Sequence, residues 1–211
     1  MMALLMGERN PDTVARTCDL GVAMELTNIA RDVGEDARMG RLYLPRDWLR
    51  ETGIDPSAWL AKPQFTPALA QVVSRLLSSA DELYAQAEMG ISRLPAPCRP
   101  GMYAARLLYV EIGREVERRG MDSVTSRAVV RPRRKARLLM SALVAAARAA
   151  QRDAILALGA TQFLVDAVRS HPLPAMAAPP SVAWWNLADR LIGLIDMFKR
   201  LERRQRVGDS L

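Results

Sequence analysis

Histidine is almost missing from this chain and cysteine is little commoner, with one His and two Cys in 211 residues. The lone His171 precedes a proline in a Pro/Ala-rich stretch, His171 to Pro180, so no Ser-His or Cys-His nucleophile constellation can be assembled. Cys18 and Cys98 make no disulfide framework and suit a reducing compartment. Aromatics are only 5% of residues, and the basic runs lack the interleaved rings of a single-strand binder. No zinc-finger or RNP spelling and no Gly-rich phosphate loop occurs. Nucleic acid is therefore not the expected partner. Long apolar runs are missing too: the best, Leu138 to Ala147, ends at Arg148 and is too short to span a bilayer. The opening Met-Met-Ala-Leu-Leu-Met is too short for a signal peptide and runs straight into Glu8-Arg9. The expected location is cytoplasmic.

What is present argues for helices. Half the residues are apolar, and good helix formers are abundant. A length of 211 residues fits one domain with a sizeable core. The net charge of +7 is concentrated in Arg131-Pro132-Arg133-Arg134-Lys135-Ala136-Arg137 and in the tail from Lys199 to Arg206. Such a surplus suits anionic lipid or a phosphorylated substrate.

One stretch organises the chain: Asp19 to Asp36. On a helix, Glu25, Asn28, Asp32 and Asp36 fall within a polar wedge roughly 80° wide. Val22, Leu26, Ile29, Ala30 and Val33 form an apolar wedge beside it. A polar face so close to an apolar one reads as the wall of an internal cavity. Asp32 and Asp36 lie one turn apart, so their carboxylates repel unless a positive charge intervenes. Mg²⁺ is commonly held by one or two carboxylates, water and substrate phosphates, and Asn28 offers a carbonyl oxygen to the same ion. An acidic pair at this spacing would, alone, read as a solvated face.

The longer spelling is more specific. Leu26-Thr27-Asn28-Ile29-Ala30-Arg31-Asp32-Val33-Gly34-Glu35-Asp36, followed by Gly40-Arg41-Leu42-Tyr43-Leu44-Pro45, resembles the second aspartate-rich signature of the squalene/phytoene synthase family, in its bacterial phytoene synthase variant. Weaker resemblance extends from Met1 to about Arg206. It implies an all-α, isoprenoid-synthase-type helical bundle around a central cavity, with residues 1–211 as the C-terminal part of a single domain. The family's earlier acidic helix has no counterpart here, since no second Asp-x-x-x-Asp occurs. Met1 to Gly7 resembles the end of a family helix. Glu25 stands where the family usually has Gln.

The resemblance implies a reaction: head-to-head condensation of two geranylgeranyl diphosphates to phytoene, through a cyclopropyl diphosphate, as in carotenoid biosynthesis. It implies Mg²⁺ (or Mn²⁺) held by Asn28, Asp32 and Asp36. The implied catalytic set is Asp32, Asp36, Arg31, Tyr43 and Tyr109; Glu25, Arg38, Arg41, Arg133 and Lys135 would face the substrate. Squalene or dehydrosqualene synthesis is the nearest alternative, and a non-catalytic binding or assembly relative the alternative from another class. With half of its acidic cluster, the isolated chain is expected to turn over poorly.

Along the chain, Asn10-Pro11 caps a helix to about Glu35, and Gly40 to Pro45 is a loop. Short helices follow at Pro45–Glu51 and Asp55–Leu60. Thr66-Pro67 opens a long helix to about Arg93, with an apolar stripe of Leu69, Val72, Val73, Leu76, Leu77, Leu83 and Tyr84. After a loop at Leu94–Gly101, helices are expected at Met102–Arg119 and from Pro132 to about Leu158. Glu111 and Glu115, among Arg114, Arg118 and Arg119, read as a salt-bridged face and not a metal site. A final helix, Ser181 to about Gln205, carries a seam of Trp184, Leu187, Leu191, Leu194, Phe198 and Leu201. That seam suits docking on the body of the chain or contact with a membrane surface.

Overall fold

Two prolines set the frame. Pro11 and Pro67 each occupy the first turn of a long helix, where the missing amide costs no hydrogen bond. The side chain of Asn10 caps the first by accepting from the amides of Asp12 and Thr13, and Thr66 caps the second through the amide of Leu69. The structure, a computed structural model, describes residues 2–147 and 157–170. Among these residues the elements are α1 (Met2–Leu5), α2 (Pro11–Arg38), α3 (Arg46–Glu51), α4 (Pro56–Ala61), α5 (Pro67–Ile91), α6 (Arg99–Arg118), α7 (Pro132–Ala146) and α8 (Gln162–Ser170), with no strand. The expected all-helical class holds. None of these helices is long and apolar enough to cross a membrane.

The pairing of α2 with α5 is the spine. All seven residues of the stripe expected on α5 are buried. Against them α2 presents Leu20, Ala23, Ala30, Val33 and Ala37. This differs from the expected apolar wedge. Ala30 and Val33 are buried, whereas Val22, Leu26 and Ile29 are only partly covered. The reason is steric: small side chains let two long helices approach closely, so the seam follows Ala23, Thr27, Ala30 and Ala37. The bulkier residues are left on its flank, beside the polar wedge.

Polar groups inside the seam are matched by hydrogen bonds at Thr27 and by charge alone at Asp19, whose buried oxygens accept no hydrogen bond among the described residues. The Thr27 hydroxyl donates to the Ala23 carbonyl at 2.9 Å and shares a 2.9 Å hydrogen bond with the Tyr84 hydroxyl. Arg16 and Asp19, both buried, form an ion pair at 3.2 Å where α2 meets α5. Gly90 makes this possible, because a Cβ there would collide with the Arg16 side chain.

Boundaries differ from expectation in three places. α2 runs on to Arg38, so Asp36 lies inside the helix. α6 begins at Arg99, three residues early, because Pro100 is tolerated in a first turn. Arg99 also donates to the Leu94 carbonyl at 2.7 Å and ties down that start. α7 ends at Ala146, with Ala147 as its C-cap, and Ala157 and Leu158 are not helical, short of the expected end at about Leu158; α8 follows a single 3-10 turn at Gly159–Thr161 that the sequence did not announce. Val165 of α8 packs on Val14 and Ala15 of α2. The expected linker at His171–Pro180 and the helix at Ser181–Gln205 lie outside the described residues.

One connector matters for the site. Between α6 and α7 the chain reverses through Gly120 (φ 67°) and Met121 (φ 66°), two successive left-handed residues. Asp122 then accepts from the amides of Val124 and Thr125 at 3.0 and 2.9 Å, which fixes the turn. The segment crosses α2 at Gly34, whose amide donates to the Ser123 carbonyl at 3.0 Å.

Candidate active site

The polar wedge of α2 faces away from α5, and the α6–α7 connector partly covers it. Asp32 is the best-covered acid of the set, with its side chain 19% exposed. Its two oxygens are gripped by two guanidinium forks. Arg31 donates from Nε and Nη2, both at 2.7 Å, and Arg127 from Nε and Nη2 at 2.8 and 3.2 Å. Burial pushes this carboxyl up, but the hydrogen bonds from Arg31 and Arg127 outweigh it and hold Asp32 below the usual carboxylate range.

Asp36 shows the opposite balance. Burial raises its pKa, the charges of Asp32, Glu35 and Glu25 raise it further, and Arg41 only partly offsets them. Asn28 is half-buried and reaches Glu25 at 3.5 Å. Around Asp36, then, the charges of Glu25, Asp32 and Glu35 outweigh the one arginine that faces it, Arg41.

That surplus is the test of fit for a divalent cation. Among the described residues no three side chains of the His, Cys, Asp and Glu types converge on one point. The set offered is two carboxylates and an amide, with the Asp32 oxygens already taken by guanidiniums, so a cation held here would keep waters and take phosphate oxygens. The guanidiniums on Asp32 stand where such a cation would act. The residues fit.

Beside Asp32 lies a cleft of about 330 Å³. It is lined by the cationic Arg31, Arg127 and Lys135, by the apolar Leu108, Ile112 and Val130, and by Tyr109. Of the residues singled out from sequence, the cleft gathers Arg31, Tyr109 and Lys135. It does not gather Arg133, which is exposed. Arg41 and Tyr43 flank Asp36 instead, in a separate small hollow with Ile29 and Val33. Tyr43 is 54% exposed there. Arg38 is also exposed and donates to the Val124 carbonyl at 3.4 Å, a contact that steadies the connector. Glu25 is exposed at the edge of the wedge.

Glu111 and Glu115 form the expected salt-bridged face. Glu111 is almost fully covered and accepts from Arg118 at 2.7 Å and Arg134 at 2.9 Å, joining α6 to α7. Glu115 pairs with Arg118 and Arg119.

A profile of the squalene/phytoene synthase family matches residues 1–135, a stretch that holds every residue of both hollows. The chain belongs to the squalene/phytoene synthase family. Its relatives include the phytoene synthase of Cereibacter sphaeroides, 55% identical over 135 residues that cover 64% of this chain and 38% of that protein. The phytoene synthase of Rhodobacter capsulatus is 52% identical over 146 residues, covering 69% and 43%. A crystal structure of a dehydrosqualene synthase in complex with a ligand superposes with a TM-score of 0.55 at 30% identity, over 63% of this chain and 47% of that one. The squalene/phytoene synthase helical fold is thus established for the matched region. The chain spans about two fifths of the length of these curated relatives.

Arg127 is the site residue that sequence reasoning missed. Its partner Asp32 is 95 positions away. The available signal was slight: one Arg at the head of Ala128-Val129-Val130, a run whose first and last members are buried.

Proposed function

We propose that this chain carries the second acidic motif and the anion-facing cleft of a phytoene-forming, head-to-head prenyltransferase acting on geranylgeranyl diphosphate. The observation that carries the reading is the juxtaposition of Asp32 with a cleft lined by both cationic and apolar side chains. Such a pocket suits a diphosphate attached to a hydrocarbon. Identities of 55% and 52% to phytoene synthases, against 30% to a dehydrosqualene synthase, favour the longer substrate.

In this reading Asn28, Asp32 and Asp36 would hold Mg²⁺. When bound, the cation supplies charge neutralisation to the departing diphosphate. Arg31 and Lys135 orient the anion and stabilise charge as it develops. Leu108, Ile112 and Val130, with Val22, Leu26 and Ile29 on the flank of α2, keep water from the allylic cation. Tyr109, at the same cleft, faces the reacting carbons. Contact with a membrane through residues 181–205 would bring in the greasy substrate; that segment lies outside the described residues.

The test is product analysis with labelled farnesyl and geranylgeranyl diphosphates, with and without NADPH. It is best run on the Rhodobacter capsulatus enzyme with its matching stretch replaced by the corresponding residues of this chain. Phytoene from the longer substrate, lost on Asp32→Asn, is expected. A product drawn only from farnesyl diphosphate would move the assignment to squalene-type chemistry. The unaided 211-residue chain should turn over slowly or not at all.

A further inference from the structure

The two forks on Asp32 leave its carboxylate oxygens with no open approach for a cation. A divalent ion that uses Asp32 must first displace a guanidinium. The two arginines are not equally placed to yield. Arg31 neighbours Asp32 on the same helix and is 17% exposed, whereas Arg127 reaches in from the connector and is 43% exposed. Its remaining anchor is a longer contact, 3.5 Å from Nε to Glu35. Half-exposed pairs of this kind contribute little and are readily exchanged.

The side chain also has somewhere to go. Arg127 already lines the 330 Å³ cleft with Arg31 and Lys135. Its carbonyl is held by Arg119 Nη1 at 3.0 Å, so the side chain can swing while the backbone stays fixed.

We propose that Arg127 is an internal counter-ion that closes Asp32 until a divalent cation displaces it, and that the displaced guanidinium then joins Arg31 and Lys135 in facing the anion. This rests on the reading of Asn28, Asp32 and Asp36 as a cation half-site. The cation and the anion are then positively coupled through one side chain. By linkage, each tightens the other by the same factor. The order of events also gains a physical cause: the anion meets its full set of guanidiniums only after the acid has exchanged partners.

The experiment is a Mn²⁺ titration followed by electron paramagnetic resonance on the 211-residue chain and on Arg127→Gln and Arg127→Lys. Removing the competitor should tighten Mn²⁺ binding by roughly two- to five-fold in Arg127→Gln, the range expected for loss of a half-exposed ion pair. Arg127→Lys keeps the charge but not the fork, and should also bind more tightly than the unmodified chain. A lysine variant indistinguishable from wild type would assign the effect to general charge and overturn the exchange. So would weaker binding by either variant. Absence of Mn²⁺ binding in the wild type and both variants would remove the half-site itself, and the counter-ion role with it. A second measurement needs no variant. In the unmodified chain, Mn²⁺ should speed the reaction of Arg127 with an arginine-directed dicarbonyl, mapped by peptide mass, and an unchanged rate would refute the displacement.

Discussion

Gly34 lies directly under Val124, so that a Cβ on Gly34 would come within 2.8 Å of the Val124 Cα and 2.9 Å of the Ser123 carbonyl oxygen. The glycine between the two acids of the motif is thus the place where the connector touches the helix. Contact here sets the height at which Arg127 meets Asp32.

Gly34→Ala should therefore be destabilising, although alanine is the better helix former by about 1 kcal/mol. Backbone overlap of this kind costs about 1–3 kcal/mol beyond that gain. A lowered midpoint in thermal or urea unfolding is expected. A raised midpoint would mean that the connector yields freely.

Thr27 and Tyr84 test the spine. Thr27→Val and Tyr84→Phe each remove one partner of a buried hydrogen bond and should each cost about 1–2 kcal/mol. The double variant should lose less than the sum, because Thr27→Val alone leaves the Tyr84 hydroxyl unmatched, whereas in Tyr84→Phe the Thr27 hydroxyl keeps the Ala23 carbonyl. Unfolding free energies of the four proteins give the coupling directly. Strict additivity would show that the hydroxyls do not depend on each other.

Glu111 gives the pH dependence. Burial raises its pKa, but hydrogen bonds from Arg134 and Arg118 outweigh this and leave it lowered. The charged form is therefore favoured by folding. Its contribution is full above the ordinary glutamate value of about 4.3 and is lost as pH falls through the lowered folded value. Glu111→Gln should cost about 1–2 kcal/mol at neutral pH, discounted because both arginines are half-exposed. The difference in melting temperature between wild type and variant should shrink towards zero in strong acid. A constant difference across that range would exclude the charge as the cause.

Lys135 and Arg133, two residues apart on α7, separate a cleft cation from a surface one. Inorganic pyrophosphate, measured by calorimetry, should bind Lys135→Met several-fold more weakly, whereas Arg133→Met should change little after correction for ionic strength. Equal losses would indicate a diffuse basic field in place of a pocket.

The fold was legible where local chemistry and periodicity agree. Asn10-Pro11 and Thr66-Pro67 announce both spine helices, and the stripe from Leu69 to Tyr84 announces their contact. The acids were legible for the same reason, since Asn28, Asp32 and Asp36 share one helical face. Their counter-charge was not. Arg127 comes from an irregular segment, where no period marks which side chain will turn inward. Gly34 was equally mute, because a glycine inside a helix reads only as a local cost. Its purpose is tertiary and belongs to a contact with residues 123 and 124. The buried face of α2 was misjudged by about a fifth of a turn. Hydrophobicity alone favoured Val22, Leu26 and Ile29, whereas close helix packing selects for smallness.

The left-handed pair at Gly120 and Met121 makes the length of the following segment as important as its spelling. Beyond it Ala128 and Val130 turn inward while Val129 turns out, so one inserted or deleted residue would invert the alternation. An insertion would put Ser126 opposite the acid, and a deletion Ala128; neither can neutralise a carboxylate. Changes of letter in this stretch can be graded, but a change of count is all or nothing.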